Sequence, residues 1–271
     1  MSLVALSDRE FMLFQRFIYE SAGITMANGK QALVSGRLGK RLAHHQLGSY
    51  SDYLRHLEKD PDELRIAVDL LTTNETYFFR EPKHFALLRE LAQACRQGGG
   101  GERPRPLRVW SAASSSGEEV YSIAMVLADV LGDGPWEVLG SDISTRMLQR
   151  GRNGHYPQER ASQIPHEYLK RFCLKGQGSE AGTMLIERAL RQRVQFQQVN
   201  LNQALPTLGV FDVIFLRNVM IYFNLETKRQ VVARLLSQLR PGGYFLIGHS
   251  ETLNDVNDTL SAVAPSIYRK D

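Results

Sequence analysis

Residues 109–132, VWSAASSSGEEVYSIAMVLADVLG, read as a short apolar strand, a turn of small residues and a helix whose buried stripe is Val120, Ile123, Ala124, Leu127, Val130 and Leu131. Strand–turn–helix units often hold phosphates, because the unpaired N–H groups and partial positive charge of the helix start face the ligand. This turn carries a single glycine, Gly117, and follows it with Glu118 and Glu119. Two carboxylates there offset the helix dipole and repel a pyrophosphate, and neither a GxGxxG nor a GxxxxGK[ST] pattern is present. Two readings stay open: the pair only complements the dipole, or the turn receives a ligand with cationic groups and hydroxyl donors but no phosphate.

Further polar residues stand at successive strand ends. WEVLGSD ends in Asp142, placed to accept hydrogen bonds from ribose hydroxyls or to cap the helix that begins ISTRML. RVQFQQVN brings Asn200 and Leu201 to the end of another strand, a polar edge and an apolar face suited to adenine. S-adenosylmethionine, with an ammonium, a sulfonium and a ribose diol, is a ligand of the required kind.

The elements that must hold these residues fall into two groups. The first 70 or so residues contain no convincing strand. REFMLFQRFIYESAG and YSDYLRHLEKDPDELRIAVDLL repeat apolar residues at intervals of three and four, so residues 1–72 are expected to form a small helical domain. A helix over Pro82–Arg96 then leads to QGGGGERPRP, whose four glycines predict a loop. From Leu107 strands alternate with helices: LRVWSAA, WEVLGSD, RVQFQQVN, FDVIFLRN and YFLIGHS are the strands, and the last helix spans Glu226–Leu239 before Pro241-Gly242-Gly243. This alternation predicts an α/β, doubly wound, mostly parallel sheet over residues 73–271, with ligands beyond the carboxyl ends of its strands. From Asp142 to Val194 lie about 50 residues, far more than a helical crossover needs. The excess predicts an antiparallel β-meander insert at about 172–192.

Composition narrows the class. The 271 residues are 43% hydrophobic with a net charge of +4, as expected of a folded soluble chain. No apolar run approaches the roughly 20 residues of a membrane span, and MSLVALSDREFMLFQRF lacks a signal-peptide core, so a cytoplasmic location without membrane insertion is expected. Cys95 and Cys173 support neither a disulfide framework nor a zinc site, and no metal is expected. From Ser21 to Ser51 there is no acidic residue, while Lys30, Arg37, Arg41 and His44 share a helical face and Lys40 stands nearby. That face either is merely solvated or holds an acidic partner.

Taken in order, TTNETYFFRE at 72–81, WSAASSSGEEVYSIA at 110–124, SDIS at 141–144, VNL at 199–201, FLRNVMIYF at 215–223 and GHSE at 248–251 resemble the CheR-type chemoreceptor glutamate methyltransferases across nearly the whole chain. The resemblance implies transfer of methyl from S-adenosylmethionine to glutamate side chains of a chemoreceptor's cytoplasmic helical bundle, leaving S-adenosylhomocysteine and methyl esters. It places cofactor contacts at Asn74, Thr76, Arg80, Glu119, Asp142, Asn200, Leu201, Arg217 and Asn218, with Glu118 the alternative to Glu119. It gives the basic face of Lys30, Arg37, Lys40 and Arg41 a receptor helix to dock. It also likens the insert to a three-stranded subdomain that in some members of the family captures a receptor's carboxyl-terminal peptide, with Gly176 and Gly178 in its loop.

A glutamate carboxylate is ionised near neutral pH, so its attack on a methyl carbon requires no general base. Positioning and exclusion of water remain for the enzyme to supply, and Arg80 and Tyr222 are the candidate catalytic residues: a guanidinium fork for a carboxylate, and a wall with a hydroxyl. Two rival readings are a methyltransferase for a small molecule or nucleic acid, and a binding module without turnover. The absence of an interleaved aromatic platform on the basic face argues against nucleic acid.

Overall fold

Four helices open the chain: α1 (Asp8–Ala22), α2 (Gln31–His44), α3 (Tyr50–Leu57) and α4 (Pro61–Leu71). Each boundary has a local cause. Ser7 and Glu10 form a reciprocal capping box at α1, Gly23 closes that helix in the left-handed region, Ser49 caps α3, and Asp60 caps α4 with Pro61 in its first turn. Phe14, Ile18, Val34, Leu38, Tyr50, Tyr53 and Ala67 are among the residues of the core these helices share. The structure, a computed structural model, describes residues 4–97 and 105–271. The four glycines of the expected loop, at 98–101, lie outside the described residues.

The second region runs α5 (Pro82–Gln97), β1 (Leu107–Ser111), α6 (Glu118–Leu131), β2 (Trp136–Asp142), α7 (Thr145–Asn153), β3 (His155–Pro157), α8 (His166–Phe172), β4 (Cys173–Lys175) and β5 (Thr183–Ile186). It continues through α9 (Arg188–Arg191), β6 (Val194–Gln198), β7 (Phe211–Leu216), α10 (Leu225–Ser237), β8 (Leu239–Ile247), β9 (Leu260–Ala264) and β10 (Ile267–Lys270). Seven strands form one sheet in the order β6-β2-β1-β7-β8-β10-β9, parallel from β6 to β8 and antiparallel at β10 and β9. The pleat sends alternate residues to opposite faces. Val109, Val138, Val213, Phe215 and Leu246 join one core with α5 and α6, while Trp110, Leu139, Ile214, Leu216, Phe245 and Ile247 join the other with α10. Strand order reverses between β1 and β7, which opens a crevice at their carboxyl ends.

Three elements differ from the expectations. The insert is antiparallel, but its first strand is β3, well before residue 172, and its order is β3-β5-β4, so the last strand lies in the middle and the sheet is not a meander. Strand β3 has three residues, too few to announce itself by alternation. The last helix stops at Ser237, and Leu239 and Pro241-Gly242-Gly243 belong to β8, whose register against β7 shifts there. A Pro-Gly-Gly run that reads as a helix stop is accommodated here as a strand irregularity. The closing hairpin β9–β10 was not anticipated.

The helical domain is fastened to the sheet region at one edge. Asn200 Nδ2 donates to Ser21 O at 2.7 Å, Thr25 N donates to Tyr222 O at 2.8 Å, and Ile24 bridges Phe223. Arg146 N reaches Asp69 Oδ2 at 3.4 Å.

Candidate active site

A cavity of about 940 Å³, counting its open mouth, lies over the carboxyl ends of β1, β2, β6 and β7. Ala22 and Ile24 of the helical domain and the segment Thr72–Tyr77 complete its wall. The segment is held from both sides. Asn74 Nδ2 donates to Thr72 Oγ1 at 3.2 Å, Asn74 O accepts from Ser115 Oγ at 3.0 Å, and Thr76 O accepts from Arg160 Nη1 at 2.6 Å.

The turn after β1 uses its one glycine for packing. Gly117 has φ +96°, and a Cβ there would lie 2.9 Å from the Gly151 Cα. The turn so drawn in parts the two following carboxylates. Glu119 lines the cavity; its Oε1 accepts from Ser111 Oγ at 2.7 Å and its Oε2 from Arg217 Nη1 at 2.8 Å. Glu118 faces away, 1% exposed, accepting from Ser116 Oγ at 2.7 Å with Arg160 Nη1 3.5 Å off. Glu118 is therefore removed from the cavity contacts. Burial pushes the pKa of both carboxyls up, and at Glu119 the Arg217 guanidinium offsets part of the rise.

Asp142 closes β2 with both oxygens aimed: Oδ2 accepts from Ser115 N at 2.8 Å and Oδ1 from Ser144 N at 2.9 Å. Burial raises its pKa to about 6 against the pull of those N–H groups. Each oxygen keeps a lone pair for a hydroxyl donor.

Arg217 is more committed than a ligand contact requires. With 2% of its side chain exposed, it holds Glu119, lies 3.2 Å from Glu81 Oε2 through Nη2, and donates from Nη2 to Arg80 O. Its role is to fix Glu119 rather than to offer a free cation. Glu81 was missed in the sequence, where an acid just before a helix reads only as dipole complement. Burial pushes its pKa up, but Arg217 and His249 outweigh that, and it ends lowered. Asn218 sits in the left-handed region at φ +58°, its N–H donating to Glu251 Oε2 at 2.9 Å, so its amide is held at the wall.

Arg80 is half-buried on the lining, one Nη1 hydrogen bond to Glu75 O at 3.3 Å and its guanidinium 5.5 Å from the Tyr77 ring centre. It is the arginine with donors to spare. Tyr222, also half-buried, lines the same space. Leu201, Ile143 and Val199 give an apolar wall beside Asn200, whose amide is engaged by Ser21 O and by Asn202 N, at 2.7 and 3.0 Å. Asn200 thus ties the domains, and its backbone carbonyl accepts from Gln203 N at 3.1 Å.

The residues proposed for docking lie away from the cavity and divide sharply. Lys30, Lys40 and His44 are exposed. Arg37 turns inward: Nη1 donates to the carbonyls of Leu70, Leu71 and Thr72 at 3.1, 3.1 and 2.9 Å, closing the end of α4. Arg41 pairs with Glu63, a carboxylate 2% exposed and also held by Tyr53 and His45. The expected basic face therefore loses its two arginines to the fold. Gly176 and Gly178 lie in the β4–β5 loop; a Cβ at Gly176 would fall 2.0 Å from Glu180 O, and Gly178 has φ +58°.

The cavity fits S-adenosylmethionine on its own chemistry: Glu119 for an ammonium, Asp142 for a diol, Arg80 for a carboxylate, and an apolar slot for a purine. No helix among the described residues is long and apolar enough to cross a membrane. Residues 9–72 match the all-alpha domain, and residues 74–268 the SAM-binding domain, of the CheR methyltransferases. Chemotaxis protein methyltransferase 2 of Pseudomonas aeruginosa is 43% identical over 262 residues, covering 96% of this chain and 92% of that one. Chemotaxis protein methyltransferase of Escherichia coli is 38% identical over 270 residues, covering 98% and 92%. The solved N-methyltransferase NodS of Bradyrhizobium japonicum is more distant, 12% identical with a TM-score of 0.39 over 70% of this chain and 87% of that one. The chain belongs to the CheR methyltransferase family and is an S-adenosylmethionine-dependent methyltransferase of chemotaxis.

Proposed function

We propose that this enzyme methylates glutamate side chains on the cytoplasmic helical domain of chemoreceptors, forming methyl esters. The observation that carries the reading is the composition of the cavity wall: arginine, tyrosine and acidic residues, with no histidine, cysteine or lysine among the described lining residues. That lining suits a nucleophile that arrives already ionised. The bound cofactor supplies an electrophilic methyl group.

The chain's own residues do the positioning. Glu119, held by Ser111 and Arg217, anchors an ammonium; Asp142 takes the diol; Asn74 and Thr76 close the segment over the site. Arg80 orients a carboxylate with its unengaged donors, and Tyr222 walls the reacting pair from water. Neutralising opposite charges is favoured in such a water-poor site.

Lys30 and Lys40 steer an acidic receptor helix toward the helical domain, and the edge of the insert accepts a receptor tail as an added strand where such a tail exists. The enzyme acts in the cytoplasm beside receptor arrays. The test is transfer of labelled methyl from S-adenosylmethionine to purified receptor cytoplasmic fragments, with and without their tails, followed by alkaline release of methanol. Base-labile label on the fragment is the expected result, and tail dependence assigns the insert. Cofactor binding with no label on any receptor fragment defeats the proposal.

A further inference from the structure

Beside the cavity, behind Arg217, two side chains at the start of α5 meet a third from a distant part of the chain. Glu81 stands just before α5, His84 lies in its first turn, and His249 follows β8. Their donor atoms all lie within 4.8 Å of one another: His84 Nδ1 is 3.5 Å, and His249 Nε2 3.9 Å, from Glu81 Oε2. The cysteines offered no metal-binding pattern; Glu81 and His84 stand three positions apart, but His249 lies 168 positions beyond Glu81, so the sequence alone does not bring the three together.

His84 is 0% exposed, and its two ring nitrogens are unequally served. Nε2 lies 2.8 Å from Ser266 Oγ, whereas Nδ1 is buried without a hydrogen-bond partner among the described residues and faces Glu81 Oε2 at 3.5 Å. A buried ring nitrogen so placed, beside a carboxylate oxygen and a second imidazole, is available as a ligand atom.

We propose that Glu81, His84 and His249 form a binding site for a transition-metal dication, zinc being the ion best suited to two imidazoles and a carboxylate. Zinc takes such ligands at roughly 2.0–2.2 Å, so tetrahedral donors stand roughly 3.4 Å apart, and only small side-chain movements bring the three together. Ser266 Oγ, 2.8 Å from His84 Nε2, stands where ligating histidines find the outer hydrogen bond that fixes their ring. His249, 49% exposed, provides the entry path and leaves a position for water. Arg217 shares the Glu81 oxygen, which weakens the site and also couples it to the cavity through Glu119. The ion would clamp the start of α5, and with it Arg80, to the loop after β8.

The test uses the full chain, stripped with a chelator and titrated with cobalt(II) by visible absorption and with zinc by calorimetry. One equivalent with the intense visible bands of tetrahedral cobalt, displaced by zinc, is expected. His249→Ala, at a half-exposed position, should weaken cobalt binding by roughly 100-fold or more, and Ser266→Ala by about 10-fold, with circular dichroism in chelator confirming the fold. Absence of a cobalt spectrum, or binding unchanged in His249→Ala and therefore an adventitious ion only, overturns the proposal.

Discussion

Two buried arginine–glutamate assemblies, one in each part of the molecule, use the same chemistry to different ends. In the helical domain Arg41 holds Glu63, and Tyr53 and His45 take up the remaining capacity of that carboxylate. The cluster is closed. Beside the cavity Arg217 holds Glu119, with only Ser111 as a second donor among the described residues, and one face of that carboxylate looks into open space. Pairing a buried charge is a condition for keeping it, but capacity left unused is what receives a ligand. The difference separates scaffold from site more cleanly than burial, since both carboxylates are largely inaccessible.

The comparison breaks most visibly at its arginines. Arg217→Ala leaves Glu119 and Glu81 buried without their counter-charge, and we expect a loss of about 3–5 kcal/mol in denaturant unfolding together with loss of measurable cofactor binding. Arg41→Ala removes the partner of Glu63 and should cost about 3 kcal/mol, while cofactor affinity by calorimetry stays within about twofold under folding conditions. If Arg41→Ala weakens cofactor binding as much as Arg217→Ala does, the distinction between a closed and an open cluster is lost.

Acid should also tell the two regions apart. Burial pushes Glu63 up, but Arg41 and Tyr53 outweigh it and hold it at about 2, below its usual 4.5. Its contribution to stability is therefore complete above about pH 4.5 and disappears as pH falls toward 2. Asp142 has the opposite sign: between its usual 3.8 and its folded value of about 6 the folded state holds a proton that the unfolded chain lacks, so ionisation works against folding as pH rises through about 6. On the proposed diol contact it is the ionised form that binds, so cofactor affinity should fall by up to about tenfold per unit below pH 6 while the helical domain remains intact. Calorimetry from pH 7.5 to 5 measures this, and a flat profile removes Asp142 from the diol contact.

The smallest effect belongs to the exposed cations. Because Arg37 and Arg41 are structural, reversing them would test folding rather than docking. Lys30→Glu with Lys40→Glu should lower receptor methylation roughly 3- to 10-fold at low salt, less at high salt, without moving cofactor affinity or Tm. Unchanged methylation at low salt would take the acidic helix off this face.

Much was legible in the order of residue types. The short apolar run of β7 and the apolar stripe of α6 are short-range patterns, and short-range patterns survive in a linear string. Asp142, Glu119 and Arg80 stood where strand ends and the quoted motifs put them, and all three line one cavity. The three-residue strand β3 did not stand out, because three residues carry no period. Nor did the β8 irregularity, where Pro241-Gly242-Gly243 has one local meaning at a helix end and another in a strand.

By itself the sequence determined two regions, a helical one and an alternating one, and a strand-end row of polar residues unsuited to phosphate. Tertiary structure decided which polar groups remained available. Arg37 looked free until the end of α4 came to meet it, Asn200 until Ser21 did, and Glu118 shared every local feature of Glu119 until the turn at Gly117 sent one inward and one away. The reason is physical: periodicity is set by neighbours within a few positions, whereas the partner that satisfies a buried charge or donor is chosen by packing across the whole chain.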